Sequence, residues 1–257
     1  MTQTHNNANT QMKYSLSTSL LLWFLLIALL PFSIASWLGY RQATEAVTHT
    51  ITNELLYDAR SSAERIESWF QYRLSDLKSQ ASNPENVLLL TTLQQTFSAS
   101  QKPLNQFVHS KDWQELVTGK DSSLQNFMYQ YDYLHDVFLI DTQGNILFSL
   151  GHESDLGTNL FNGLNQSSRF SHAVQASLTS GEALFSDLEH YAPDGGLPAG
   201  FLATPITNAA GTIIGILAVQ IQTDHIHSLM KSSNEFFLQH YLIGEDGYLR
   251  TPLRNGD

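Results

Sequence analysis

Val137-Phe138-Leu139-Ile140-Asp141-Thr142-Gln143-Gly144-Asn145-Ile146-Leu147-Phe148-Ser149 is the stretch on which the fold turns. Its two apolar, β-rich runs flank a cluster of turn-forming residues, and that pattern predicts a hairpin. Downstream the pattern alternates. Ser167 to Thr179 predicts a helix with Phe170, Val174 and Leu178 on one face, followed by a strand from Glu182 to Leu188. A Pro/Gly-rich stretch, Tyr191 to Pro198, predicts a loop. Phe201 to Ile206 and Thr212 to Ile221 predict two strands joined by Thr207-Asn208-Ala209-Ala210-Gly211. The second is apolar and β-branched, which fits a central position. A short helix from Asp224 to Lys231, with Asp224 as its N-cap, closes the series. Hairpin, helix, strand, loop and hairpin make an α+β fold: an antiparallel sheet of about five strands with helices on its faces.

Upstream the period is helical. Ile51, Leu55, Ala59, Ala63, Ile66, Phe70, Leu74 and Leu77 recur at spacings of three and four, predicting one long stalk helix over residues 43–80. Ser82-Asn83-Pro84 ends it. Val87, Leu88, Leu90, Leu93 and Phe97 predict a second helix. Trp113, Leu116 and Val117, then Leu124, Phe127, Met128 and Tyr131, predict a further pair broken near Gly119. Tyr129, Tyr131 and Tyr133 alternate among acidic residues and read as ordinary packing.

Between Lys13 and Arg41 the chain carries no charge, and Leu20 to Leu30 is almost wholly apolar. A helix needs about 20 such residues to cross a bilayer. Trp37 and Tyr40 fall where an interfacial belt is expected, and Pro31 lies within the run, which membrane helices tolerate. A cleaved signal peptide is the other reading, since Ser33-Ile34-Ala35 passes as a cleavage site. The run exceeds the 7–15 residues or so typical of a signal peptide, which favours an uncleaved anchor. The expected organisation is a cytoplasmic tail (1–15), a transmembrane helix (16–40), stalk and packing helices (41–134), a membrane-distal sheet module (135–233) and the start of a second module (234–257). Everything after Arg41 is expected on the outer side of a bacterial cell membrane.

The start of a second module is expected from an internal repeat. Leu139-Ile140-Asp141-Thr142-Gln143-Gly144-Asn145-Ile146 matches Leu242-Ile243-Gly244-Glu245-Asp246-Gly247-Tyr248-Leu249 in its apolar pair, its glycine and the apolar residue after it. A hairpin is marginal alone, so the sequence is expected to be a fragment or a natural truncation of a longer protein.

Composition narrows the function. The 257 residues carry a formal charge of −11, against a nucleic-acid partner. There is no cysteine, so no disulfide, thiolate metal site or cysteine nucleophile. No phosphate-binding loop, dinucleotide fingerprint, zinc-protease motif or nucleophile elbow is present. No catalytic group, metal or cofactor is expected. His225 and His227 lie two apart, a poor helical spacing for a shared metal, and His152, Glu153 and Asp155 match no metal motif.

Together, "LIDTQGNILFS" from Leu139, "DLGTNL" from Asp155, "SGEALFSDLEHYAPDGGLPAGFLATPI" from Ser180, "GTIIGILAVQIQTDHI" from Gly211 and "LIGEDGYLRTP" from Leu242 resemble the double Cache sensor region, with PAS-like modules. The likeness runs over residues 43–257. Such regions occur in methyl-accepting chemotaxis receptors, sensor histidine kinases and nucleotide cyclases. The resemblance implies a small-molecule pocket in the membrane-distal module and a homodimer seamed along the stalk. A chemotaxis transducer is the first expectation. The input half of a kinase or of a diguanylate or adenylate cyclase is the second, and a tethered binding protein the third. The amino-acid-binding subset carries Arg-x-Trp-Tyr, which this chain lacks; Tyr191 is followed by Asp194, and Asp187 precedes both.

Phe185, Asp187 and Glu189 alternate and are expected on one strand face, with Tyr191 and Asp194 in the following loop. They are the expected pocket wall: carboxylates for a hydrogen-bond donor or amine, and aromatics to cap it. The plainer reading is a solvated strand face and an ordinary turn. Arg169, at the helix start, is the candidate partner for a ligand carboxylate.

Overall fold

The computed structural model describes residues 16–230, 241–244 and 246–251, without the His227 side chain. The expected cytoplasmic tail, the end of the Asp224 helix and most of 234–257 lie outside the described residues. The chain divides into two compact units, residues 1–58 and 59–257.

In the first unit the described residues belong to helix α1, Leu16–Ala81. The expected membrane and stalk helices are therefore one element, which runs on through Pro31. Its apolar stretch is long enough to cross a membrane, a test that a signal sequence also passes. Ile51 and Leu55, the first members of the expected stripe, are exposed.

In the second unit the end of α1 packs on a sheet. Residues 41–81 hold no glycine or proline, so nothing breaks the helix until Ser82-Asn83-Pro84. Asn83 then caps α2, Pro84–Ser100, by accepting from the Glu85 amide at 3.0 Å, with Pro84 in the first turn where its missing N–H costs nothing. Asn83 also donates to Ser123 Oγ at 2.7 Å, tying this junction to α5, Ser122–Gln130. Between them lie α4, Lys111–Val117, capped by Ser110, and a one-turn α3, Leu104–Phe107, too short to leave a period in the sequence.

The sheet has five strands: β1 Leu134–Asp141, β2 Ile146–Ser149, β3 Leu184–Tyr191, β4 Leu197–Thr207 and β5 Ile213–Gln222. Their order is β2-β1-β5-β4-β3, antiparallel throughout. β5 is central, as its composition predicts. α6, Arg169–Ser180, and α7, Thr223–Leu229, complete the unit. α7 starts one residue early, so Asp224 stands in its first turn and is not its cap.

Both sheet faces are apolar, and alternation sorts the residues between them. Val137, Leu139, Leu202, Leu217 and Val219 pack with Leu77, Leu89, Leu90, Leu93 and Trp113 from the helices upstream. Phe138, Ile140, Phe201, Ile216 and Ala218 pack with Phe170 and Val174 of α6. The Phe170 and Phe201 rings stack with centroids 3.9 Å apart. Trp113 donates its indole N–H to the Leu147 carbonyl at 2.8 Å. Arg73 of α1 lies over the rings of Tyr131 and Tyr133, Tyr133 is buried, and Tyr129 is exposed.

The repeat is structural as well as sequential. Gly144 N donates to Asp141 O and Asp141 N to Asn145 O; Gly247 N donates to Gly244 O and Gly244 N to Tyr248 O. Both glycines have positive φ, 83° and 79°, which is why glycine recurs there.

Candidate functional site

A cavity of about 940 Å³ opens where the ends of β3, β4 and β5 meet the 246–251 segment. Of the six sequence-predicted residues, Arg169, Glu189 and Asp194 line it; Asp187, Tyr191 and Phe185 do not.

The expected alternation fails at Asp187, and the cause is a bulge. Phe185 pairs with Leu202 and Leu188 with Gly200, so Ser186 and Asp187 together oppose Phe201. Asp187 takes φ 64°, a conformation aspartate tolerates better than most residues. The Ser186 hydroxyl accepts the Phe201 N–H at 2.9 Å, replacing the lost ladder bond. The bulge shifts the parity of the strand. Phe185 faces α1, with its ring centroid 4.5 Å from that of Phe70, and shares no face with Glu189. Glu189 and Tyr191 point towards α6. The expected loop after Tyr191 is also tighter than predicted: Tyr191 ends β3, Ala192–Asp194 form one 3-10 turn, and β4 begins at Leu197.

Each remaining carboxylate has its own partners. Glu189 accepts from the Arg169 and Phe170 amides, both at 2.9 Å, while Ser168 Oγ accepts from Ser171 N at 3.0 Å. The three N–H groups that open α6 are thus satisfied, and the carboxylate sits at the positive end of the helix. Asp187 accepts from Arg169 Nη1 at 2.9 Å and from Arg250 Nη2 at 2.8 Å; Arg250 also holds Asp246 at 2.8 Å. Arg169 Nη2 closes the ring on Asp246. Two guanidinium groups and two carboxylates neutralise one another. Burial alone would raise the Asp187 pKa, but Arg250, the Leu188 amide and Arg169 outweigh it and hold the carboxyl below its usual range.

Tyr191 is 1% exposed and donates to Asp155 Oδ2 at 2.9 Å. Burial, then the Asp155 charge, pushes the phenol well above its ordinary pKa. Asp155 is itself pushed up to about 6, chiefly by burial, with the Tyr191 hydrogen bond opposing and the Asp136 and Glu153 charges adding. Tyr191 thus braces the module from inside.

Asp194 belongs to a second polar cluster. Its Oδ2 accepts from Gln220 Nε2 at 2.9 Å, and its Oδ1 lies 3.4 Å from His135 Nε2. His135 Nε2 also lies 3.1 Å from Glu153 Oε1. His135, Asp194 and Gln220 line the cavity. Sequence reasoning missed His135, Gln220, Asp246 and Arg250. His135 stands alone at a strand start, and Gln220 reads as one polar residue in an apolar strand. The repeat singled out the hairpin of Asp246 and Arg250, but nothing in it announces a partner at Arg169.

No protein-family profile matches the chain, and no curated protein matches it in sequence. Solved structures do. The ligand-binding domain of the Pseudomonas aeruginosa PAO1 amino acid chemoreceptor PctC, in complex with GABA, is 13% identical, covering 79% of this chain and 77% of that one, with a TM-score of 0.51. That of the Pseudomonas fluorescens chemoreceptor CtaA, in complex with L-serine, is 13% identical over 79% and 72%, with a TM-score of 0.49. The sensor domain of the Vibrio cholerae histidine kinase DctB is 16% identical over 71% and 61%, with a TM-score of 0.44. The PctC likeness shows that this chain shares the fold of that domain, a mixed helix-and-sheet module built on an antiparallel sheet.

Proposed function

We propose that the chain is the ligand-sensing, non-catalytic input region of a bacterial inner-membrane receptor, of the chemotaxis transducer class. The observation that carries this reading is the cavity at the strand ends of a sheet with the PctC fold. A volume of about 940 Å³ is in the range that takes small metabolites. The Arg169, Asp187, Asp246 and Arg250 charges are mutually compensated and Glu189 is occupied at α6. The groups left to meet a ligand are Asp194, His135, Gln220 and the rims of β4 and β5. PctC was solved with GABA, and small amines and amino acids are the first ligands to try, although Arg-x-Trp-Tyr is missing here. α1 anchors the region, the sheet module lies outside, and the stalk stripe seams a homodimer.

A route for the signal follows from contact. Thr223 and Asp224 line the cavity, and the next residue, His225, packs on Trp69 of α1 with centroids 5.4 Å apart. A ligand that prefers one arrangement of this rim biases α1 by the difference in its affinity for the two arrangements.

Thermal melting of the full chain in detergent micelles, against a panel of amino acids, amines and organic acids, tests the reading. At 100 times its Kd a ligand stabilises by about 2.7 kcal/mol, a readable rise in midpoint. Leu197→Trp, at an exposed wall position, should abolish that rise. If no compound moves the midpoint, or Leu197→Trp leaves the rise intact, this cavity is not the sensor.

A further inference from the structure

We propose that His135, Glu153, Asp194 and Gln220 form a binding site for a divalent first-row transition-metal ion, with Zn²⁺ the best match. The proposal stands on its own geometry, and because His135, Asp194 and Gln220 also line the proposed ligand cavity, a bound ion would itself be the group that a ligand meets there. The three titratable side chains each offer a ligand atom, and these atoms lie within 4.8 Å of one another. His135 Nε2 is 3.1 Å from Glu153 Oε1 and 3.4 Å from Asp194 Oδ1. Zn–N and Zn–O bonds of about 2.0–2.2 Å put neighbouring donors of a tetrahedral site roughly 3.4 Å apart. Both His135 separations fit that spacing with little movement.

Two further atoms point to a cation. Gln220 is 2% exposed, and its Oε1 has no hydrogen-bond partner among the described residues. That oxygen is one amide carbon away from the Nε2 that touches Asp194. Glu153 Oε2 is likewise buried and without a partner among the described residues. A buried carbonyl and a buried carboxylate oxygen, both unmatched, are costly in a folded protein. A cation held by His135, Glu153 and Asp194 would supply the Glu153 carboxylate with a partner, and the Gln220 amide, hydrogen-bonded to Asp194, is the neighbouring group that could turn its oxygen to the ion. Charge agrees: among the described residues no lysine or arginine pairs with Glu153 or Asp194, and their only basic neighbour is the imidazole.

The donor set selects the ion. One imidazole with carboxylate and amide oxygens suits Zn²⁺ and its neighbours. Ca²⁺ wants six to eight or so oxygens and Mg²⁺ a near-octahedral oxygen shell, which this set does not supply. The four residues come from β1, the segment after β2, the turn after β3, and β5, so a bound ion cross-links four places in the sheet module.

The probe is Zn²⁺ itself, titrated calorimetrically into the full, tag-free, EDTA-treated chain in micelles. The expected result is one saturable site per chain, a raised melting midpoint, and preference over Ca²⁺ and Mg²⁺. Glu153→Gln and Asp194→Asn keep shape and remove charge; each should weaken Zn²⁺ by about tenfold or more while melting in EDTA like the parent. Equal Zn²⁺ affinity in parent and variants would place the ion on other histidines and overturn the proposal, as would equal affinity for Ca²⁺. If a variant does not fold, the imidazole nitrogen resonances of the parent decide: those of His135 must move on adding Zn²⁺, and unmoved signals reject the site.

Discussion

Asp187 joins three things that sequence keeps apart: a left-handed backbone in mid-strand, the parity switch of β3, and a paired ring of two arginines and two aspartates. The ring reaches from Arg169 to a hairpin 77 residues further on. Arg250 is its pivot, because its guanidinium grips both carboxylates and has 9% side-chain exposure. Hydrogen bonding from Arg250, then the Tyr248 amide, lowers the Asp246 pKa to about 2. A carboxyl lowered in the folded state contributes stability above its unfolded pKa near 4 and loses it as the pH falls through the folded value. The attachment of the hairpin should therefore weaken between about pH 4 and pH 2. Arg250→Met should return Asp246 most of the way to an ordinary aspartate and raise Asp187 with it. A carboxyl-carbon NMR titration reads both directly. An unmoved Asp246 midpoint would mean that the ion pairs are absent in solution.

At the scale of elements, the central strand has the least room. A Cβ at Gly215 would meet the Ile140 carbonyl oxygen at 2.3 Å and Leu90 Cδ2 at 2.8 Å. Backbone cannot step aside as a side chain can, so the β1–β5 ladder and the α2 contact share the strain. Gly215→Ala should cost about 1–3 kcal/mol, the range for overpacking a tight site. That appears as a lower denaturation midpoint with the dependence on denaturant unchanged. An unaltered midpoint would show that β5 and α2 are more loosely packed than their contacts imply. The element most legible in the sequence was the hairpin at Asp141: Asp141 Oδ1 accepts from the amides of Gln143 and Asn145, all within five residues. α1 was half legible. Its stripe recurs along residues 51–77, but only the later members pack in the second unit. Periodicity records that a face is apolar, not what covers it.

For the whole molecule, the proposed receptor reading requires that α1 span a membrane and that the sheet module lie on its outer side. The apolar run of α1 is long enough to cross a membrane, and the sheet module has the fold of the PctC ligand-binding domain. A reporter active only after export, fused at Gly144, should be active, and one active only in the cytoplasm should be dark. The reverse pattern would sink the receptor reading, although the fold and the cavity would stand.

By itself the sequence determined what depends on neighbours along the chain: the apolar span, the helix stops at proline and glycine, the two glycine turns and the alternation of an α+β sheet. Local sterics and hydrogen bonds decide these within a few residues. Only the tertiary structure decided which polar residues meet. The bulge at Ser186-Asp187 arises from a mismatch with β4, and it sent Phe185 and Glu189 to opposite faces. His135, Glu153, Asp194 and Gln220 come together only because the β2-β1-β5-β4-β3 order brings β1 beside β5 and folds the turn after β3 back over that pair. Long-range register has no local trace in composition or spacing, and the chemistry of this site resides in that register.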